Sequence, residues 1–117
     1  MVKDWQDIVR LELELDGRTG CGGQAYLPHK CVHPRGLPLD VNEVIVPKSV
    51  FQKMPEKSQR YFYHKYNCDT CCRWFHAVHG HSRQYREWFK GYVSDLYGGT
   101  EVLEWLVRSP LKLKRGI

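Results

Sequence analysis

The sequence predicts a small, helix-rich α+β domain in which a two-stranded antiparallel ribbon packs against a helix beginning near Phe75. Three observations predict it. Residues 39–47, Leu-Asp-Val-Asn-Glu-Val-Ile-Val-Pro, read as a strand ended by Pro47. Residues 66–80 concentrate Cys and His just ahead of a helical start. Residues 82–97 repeat apolar side chains at helical spacing. At 117 residues the chain is expected to form one domain. It divides into an N-terminal segment (1–19), a metal-binding core (20–81) and C-terminal helices with a basic tail (82–117).

The elements follow in order. Asp4 is placed to cap a short helix over 4–15, with Trp5, Ile8, Leu11 and Leu15 on one side. The alternation Leu11-Glu12-Leu13-Glu14-Leu15 also permits a strand at its end. Residues 16–38 are rich in Gly and Pro and hold Cys21 and Cys31; they read as an irregular loop that a metal would order. Within 49–66 a short helix should follow Pro55, with Phe62 and Tyr66 among its apolar contacts. Ser82 should cap a helix running to about Tyr97, whose face carries Tyr85, Trp88, Phe89, Tyr92, Val93 and Leu96. Gly98-Gly99 should end it, and Thr100 should cap a last helix stopped by Pro110. The tail from Leu111 to Arg115 is basic and reads as solvated.

Composition narrows the function. The formal charge is +5, which suits an anionic partner, nucleic acid first and a membrane surface second. No apolar run approaches the roughly 20 residues of a membrane span, and Met1 to Trp5 contain no apolar signal core. The expected setting is therefore the cytoplasm, with DNA as partner and no small-molecule substrate. Five cysteines, Cys21, Cys31, Cys68, Cys71 and Cys72, make an odd set for a closed disulfide framework. Two early and three late cysteines fit a folded-back metal site better. With six histidines beside them, zinc is the leading metal. His76 and His79, three apart on a helical start, share a face and are placed for a joint metal role.

Residues 66–80, taken with 39–47, resemble the HNH family of metal-dependent endonucleases. Asn67 falls where the family Asn stands, Cys72 follows it by five residues, His76 by a further four, and Asn42-Glu43 occupies the place of the first-strand pair. Similarity to phage-borne members continues through His79-Gly80-His81-Ser82, Arg86-Glu87-Trp88-Phe89 and the Leu-Tyr-Gly…Trp-Leu ending, over roughly residues 20–113. The resemblance implies a ββα-metal, treble-clef core with flanking N- and C-terminal helices, encoded by a phage in a bacterial host. It implies hydrolysis of DNA phosphodiesters with a catalytic Mg, Mn, Ni or Zn ion beside a structural zinc. The site it implies comprises Asn42, Glu43, Asn67, His76 and His79. Asn67 would brace the connecting loop through backbone hydrogen bonds, and Lys48, Arg73 and Arg83 would contact phosphate.

The chain departs from that pattern at two places. Asn42 stands where a His is usual, and an amide is no general base near neutral pH. Glu43 can ligate a cation or act as a base, though with an unperturbed pKa of about 4.3 it is a weaker base than His. The departure implies a weak or silent nuclease; the alternative is a non-catalytic zinc-stabilised module that binds DNA or protein. A plain zinc-finger interaction domain is the third reading. Phe75 stands where the second late cysteine is expected. Either Cys68-x-x-Cys71 supplies the late pair, or the zinc set is Cys21, Cys31, Cys72 and His76, or the zinc is lost and Phe75 fills its space.

Overall fold

The computed structural model describes residues 4–111, so the start of the chain and most of the basic tail lie outside the described residues. The chain runs α1 (Trp5–Leu15), α2 (Gly23–Tyr26), β1 (Asp40–Glu43), α3 (Lys48–Phe51), α4 (Glu56–Phe62), β2 (Cys68–Cys71), α5 (Arg73–Val78), α6 (Arg83–Tyr97) and α7 (Gly99–Val107). The described residues form an α+β domain with one two-stranded sheet. No helix among the described residues is long and apolar enough to cross a membrane.

The ribbon organises the rest. β1 and β2 pair antiparallel, with Asp40 opposite Cys71, Val41 opposite Thr70, Asn42 opposite Asp69 and Glu43 opposite Cys68. Side chains alternate across a strand, so Asp40, Asn42, Asp69 and Cys71 share one face, while Val41, Glu43, Cys68 and Thr70 share the other. On the second face Val41 and Cys68 meet Val9 of α1 in a small cluster edged by Tyr63. The main core is larger: Phe51, Phe62, Phe75, Tyr85, Phe89 and Val93 are all fully buried in it.

β1 is shorter than the expected 39–47. It stops at Glu43 because Asn67 captures the next peptides: its carbonyl accepts the Val44 N–H at 2.7 Å and its side chain takes over at Val46. Val44, Ile45 and Val46 stay buried without being strand. Pro47 ends the segment as expected, but it also opens α3, which periodicity did not show. α4 starts after Pro55 as expected; Tyr66 lies in the turn beyond it. α2 forms inside the Gly/Pro loop.

α1 forms where expected, and the Asp4 carboxylate accepts the Gln6 N–H at 2.9 Å. Its inward face is different. Val9 and Leu13 are buried, whereas Ile8, Leu11 and Leu15 are exposed. The polar neighbours explain the rotation. Arg10 donates to the Leu39 carbonyl at 3.0 Å, and Glu12 accepts the Lys65 N–H at 2.8 Å. An inward face that needs those bonds cannot also turn the Leu11 stripe inward.

α6 follows the expected period. Ser82 caps it by accepting the Tyr85 N–H, and Tyr85, Phe89 and Val93 are buried, while Leu96 is exposed. Gly98 makes the corner with φ +102°, a conformation L side chains rarely adopt. α7 begins at Gly99, so Thr100 sits in its first turn rather than capping it.

Candidate functional site

Four donors converge where the Gly/Pro loop folds back on the start of α5: Cys21, His29, Cys31 and Cys72, with their ligand atoms all within 4.8 Å of one another. His29 Nε2 lies 3.6 Å from Cys21 Sγ, 3.7 Å from Cys31 Sγ and 3.5 Å from Cys72 Sγ. A tetrahedral zinc with Zn–S of about 2.3 Å and Zn–N of about 2.0–2.1 Å requires N···S separations of about 3.6 Å. The donors fit the ion in type, number and spacing, so the arrangement can hold a metal such as zinc.

Local structure prepares each donor. His29 Nδ1 lies 2.6 Å from the Leu27 carbonyl, which fixes the proton on that nitrogen and leaves Nε2 for the metal. The ring stacks on Phe75 at 5.2 Å between centroids and leans on Trp74. Phe75 thus supports a ligand rather than replacing the site. Cys72 caps α5: its sulfur accepts the Phe75 N–H, and its own N–H points at Cys21 Sγ, 3.3 Å away. Burial works to raise the Cys72 thiol, but the Phe75 and Val32 N–H groups, with His29 and Cys31, outweigh it and lower the pKa to about 7. Burial raises Cys21 to about 11. A cation shared by the thiols favours their deprotonated forms.

The expected ligand set changes accordingly. Cys21, Cys31 and Cys72 are in the cluster; Cys68, Cys71 and His76 are not. Cys68 and Cys71 are three apart on β2, so they point to opposite faces of the ribbon and cannot form one pair. Cys68 joins the Val9–Val41 cluster and Cys71 the main core. His76 lies one turn along α5 from Cys72, and Asp40 takes it: His76 Nδ1 is 2.9 Å from Asp40 Oδ2. His29 is a donor that the cysteine pattern of the sequence does not reveal. Its signal was available as the run Cys21-x7-His29-x-Cys31 inside a Gly/Pro-rich loop.

The strand–helix region is arranged differently from the implied one. Asn42 is fully buried, its amide donating to the Gly80 carbonyl at 2.8 Å, and its Oδ1 has no partner among the described residues. A Cβ at Gly80 would lie 2.9 Å from that amide nitrogen and 2.5 Å from the His76 carbonyl, so glycine permits the approach. Glu43 points to the other face, where Gln6 reaches it at 3.4 Å. Adjacent strand residues must diverge in this way, so Asn42 and Glu43 do not line one cleft with His76. Asp40 does. Burial pushes its carboxyl up, but hydrogen bonds from Arg73 and His76 outweigh it and hold it below the usual value. His81 lies beside His76, with ring centroids 5.2 Å apart. His79, the C-cap of α5, packs instead against Tyr26, Trp74 and Phe75.

Asn67 is fully buried. Its side chain accepts the Val46 N–H and donates to the carbonyls of Val46 and Phe62. Lys48 and Arg83 are exposed at the starts of α3 and α6; Arg73, also exposed, begins α5 and is held by Asp40. Comparison with family models, with curated proteins and with solved structures returned no match.

Proposed function

We propose that this chain is a zinc-stabilised DNA-binding module on an HNH-like ββα-metal, treble-clef scaffold, with its hydrolytic chemistry lost. The burial of Asn42 carries the reading. The residue in the place of the first-strand base or ligand is sealed under Gly80, and its neighbour Glu43 faces α1. A hydrolytic site needs a base and a cation ligand facing the same opening, and these two residues supply neither there. Zinc held by Cys21, His29, Cys31 and Cys72 would staple the loop to α5 and act structurally. The cations offered to phosphate are Lys48, Arg73 and Arg83, within a chain of net charge +5.

Fluorescence anisotropy with a duplex oligonucleotide, paired with plasmid cleavage in Mg, Mn, Ni and Zn, tests this. The expected result is binding that weakens steeply as salt rises, with the plasmid left supercoiled. Binding no tighter than that of a neutral protein overturns the reading in favour of a plain zinc-finger interaction domain.

Asp40–His76 favours a second reading, a weak metal-dependent nuclease. A carboxylate orienting a half-buried imidazole leaves Nε2 available to a cation or a proton. Nicking that disappears in both Asp40→Asn and His76→Ala would establish it.

A further inference from the structure

A second concave surface shares no residue with the metal cluster or the Asp40–His76 pair. It is a groove of about 500 Å³ between α1, α4 and α7. We infer that this groove is a stacking site for single-stranded nucleic acid, with unpaired bases against its aromatic wall and phosphates at Lys57 and Arg60. The inference extends the proposed function to a second nucleic-acid form and does not depend on duplex binding elsewhere.

The lining makes the case. Trp5 comes from α1 and Tyr61 from α4, with His64 beside them, and Trp105 of α7 backs this wall, stacked against Tyr61 and His64. Every base presents a π face, so an aromatic wall receives single strands without demanding a sequence. The Arg60 guanidinium carbon sits 5.1 Å from the centre of the Trp5 ring. The indole therefore already serves as a platform for a planar group. A base that takes the place of the guanidinium frees Arg60 to meet a phosphate.

Charge selects the occupant. Lys57 and Arg60 are both exposed, which gives the groove two cations at its rim. Its carboxylate, Glu12, is engaged by the Lys65 N–H. Tyr61 and His64, the two rings stacked on Trp105, are only partly buried and line the groove. Duplex DNA hides its base faces in the stack and cannot use such a wall, which is why the inference commits to unpaired strands.

The test uses the zinc-loaded full chain and a thymidine oligonucleotide, with intrinsic tryptophan fluorescence as the readout. Saturable quenching is expected. Trp5→Ala, which removes a half-buried ring near the chain end, should weaken binding by about 5–150-fold, the range for one lost stack. Lys57→Glu with Arg60→Glu should weaken it and reduce the steepness of its log–log salt dependence by about 1.4. Lys48→Ala with Arg83→Ala should weaken duplex binding while lowering oligonucleotide affinity far less than the groove pair does, which separates this inference from the proposed function. Oligonucleotide binding indifferent to both groove variants overturns the inference. So does a dimer in sedimentation equilibrium that dissociates on Trp5→Ala, because the groove would then be a self-interface. Capture of an acidic peptide with no measurable oligonucleotide binding overturns it in favour of a protein partner.

Discussion

Asn67 grips both ends of the Val46 residue, accepting its N–H at 2.7 Å and donating to its carbonyl at 3.1 Å. The same amide group also donates to the Phe62 carbonyl at 2.9 Å. One side chain thereby replaces a missing strand neighbour for the segment after β1. Asn67→Ala should cost about 3 kcal/mol or more, since three buried backbone groups lose a partner worth about 1 kcal/mol each and pay desolvation besides. Asn67→Asp should be worse, because it removes both donors and sets a carboxylate against two carbonyls. Urea unfolding followed by circular dichroism checks this; a midpoint shift below that of an exposed Asn→Ala control would contradict it.

The metal centre predicts a sharp contrast between two histidines. His29→Ala should lower zinc affinity by more than the about 10–100-fold typical of supporting residues. His76→Ala should leave it unchanged, because His76 is held by Asp40 outside the cluster. Competition with a chromogenic chelator measures both. The purified chain should carry one zinc, and chelation should expose the loop at 20–36 to protease first, because a bound metal would tie together three residues of that loop and α5. Equal effects of the two substitutions would return His76 to the ligand set.

Restoring a histidine at Asn42 should not restore cleavage. The site is filled, with Gly80 closed over the amide. A larger ring there should overpack the contact and destabilise the fold by about 1–3 kcal/mol. Thermal melting and plasmid nicking read the two halves separately. A cleavage gain of about 10²-fold or more, the low end of what one oriented base supplies, would show instead that only the base was missing.

Asp69 sets a pH dependence. It is buried, and desolvation raises its carboxyl to about 6 despite Arg18, Tyr85 and the Thr70 N–H nearby. The unfolded value is near 3.8, so the folded state binds this proton more tightly. This group's contribution is therefore most favourable below pH 4 and declines as pH rises to about 6. The full change is up to about 3 kcal/mol. Asp69→Asn should flatten that part of the profile. Unfolding free energies for both proteins at pH 4, 5, 6 and 7 test it; parallel curves would mean the carboxyl is ionised throughout.

Local chemistry made some of this architecture readable in the chain and left other parts hidden. Ser82 followed by Tyr85, Phe89 and Val93 declares α6, because one cap and one period agree. α1 was readable as a helix but not in its orientation, since Arg10 and Glu12 turn inward for partners far away in sequence, at Leu39 and Lys65. The divergence of Asn42 from Glu43 was implicit in any strand assignment, yet the family resemblance treated them as a pair. Three of the four metal donors stood out as cysteines. His29 did not, because a single histidine in a loop gains meaning only when Cys72 is brought to it from 43 positions away.

Cys72 holds its place at the junction of β2 and α5, while its partners all lie in the long loop region between α1 and β1. Three donors within 21–31 can gather an ion while the polypeptide is still disordered, as an incomplete chelate open to exchange. Only when a separation of 51 residues closes between Cys21 and Cys72 does the fourth arrive. The entropic penalty of such a closure grows slowly with length, but long-range contacts form late. The residence time of a bound ion would therefore record whether the two halves of the molecule have met: brief while they wander, long once the tertiary structure is complete.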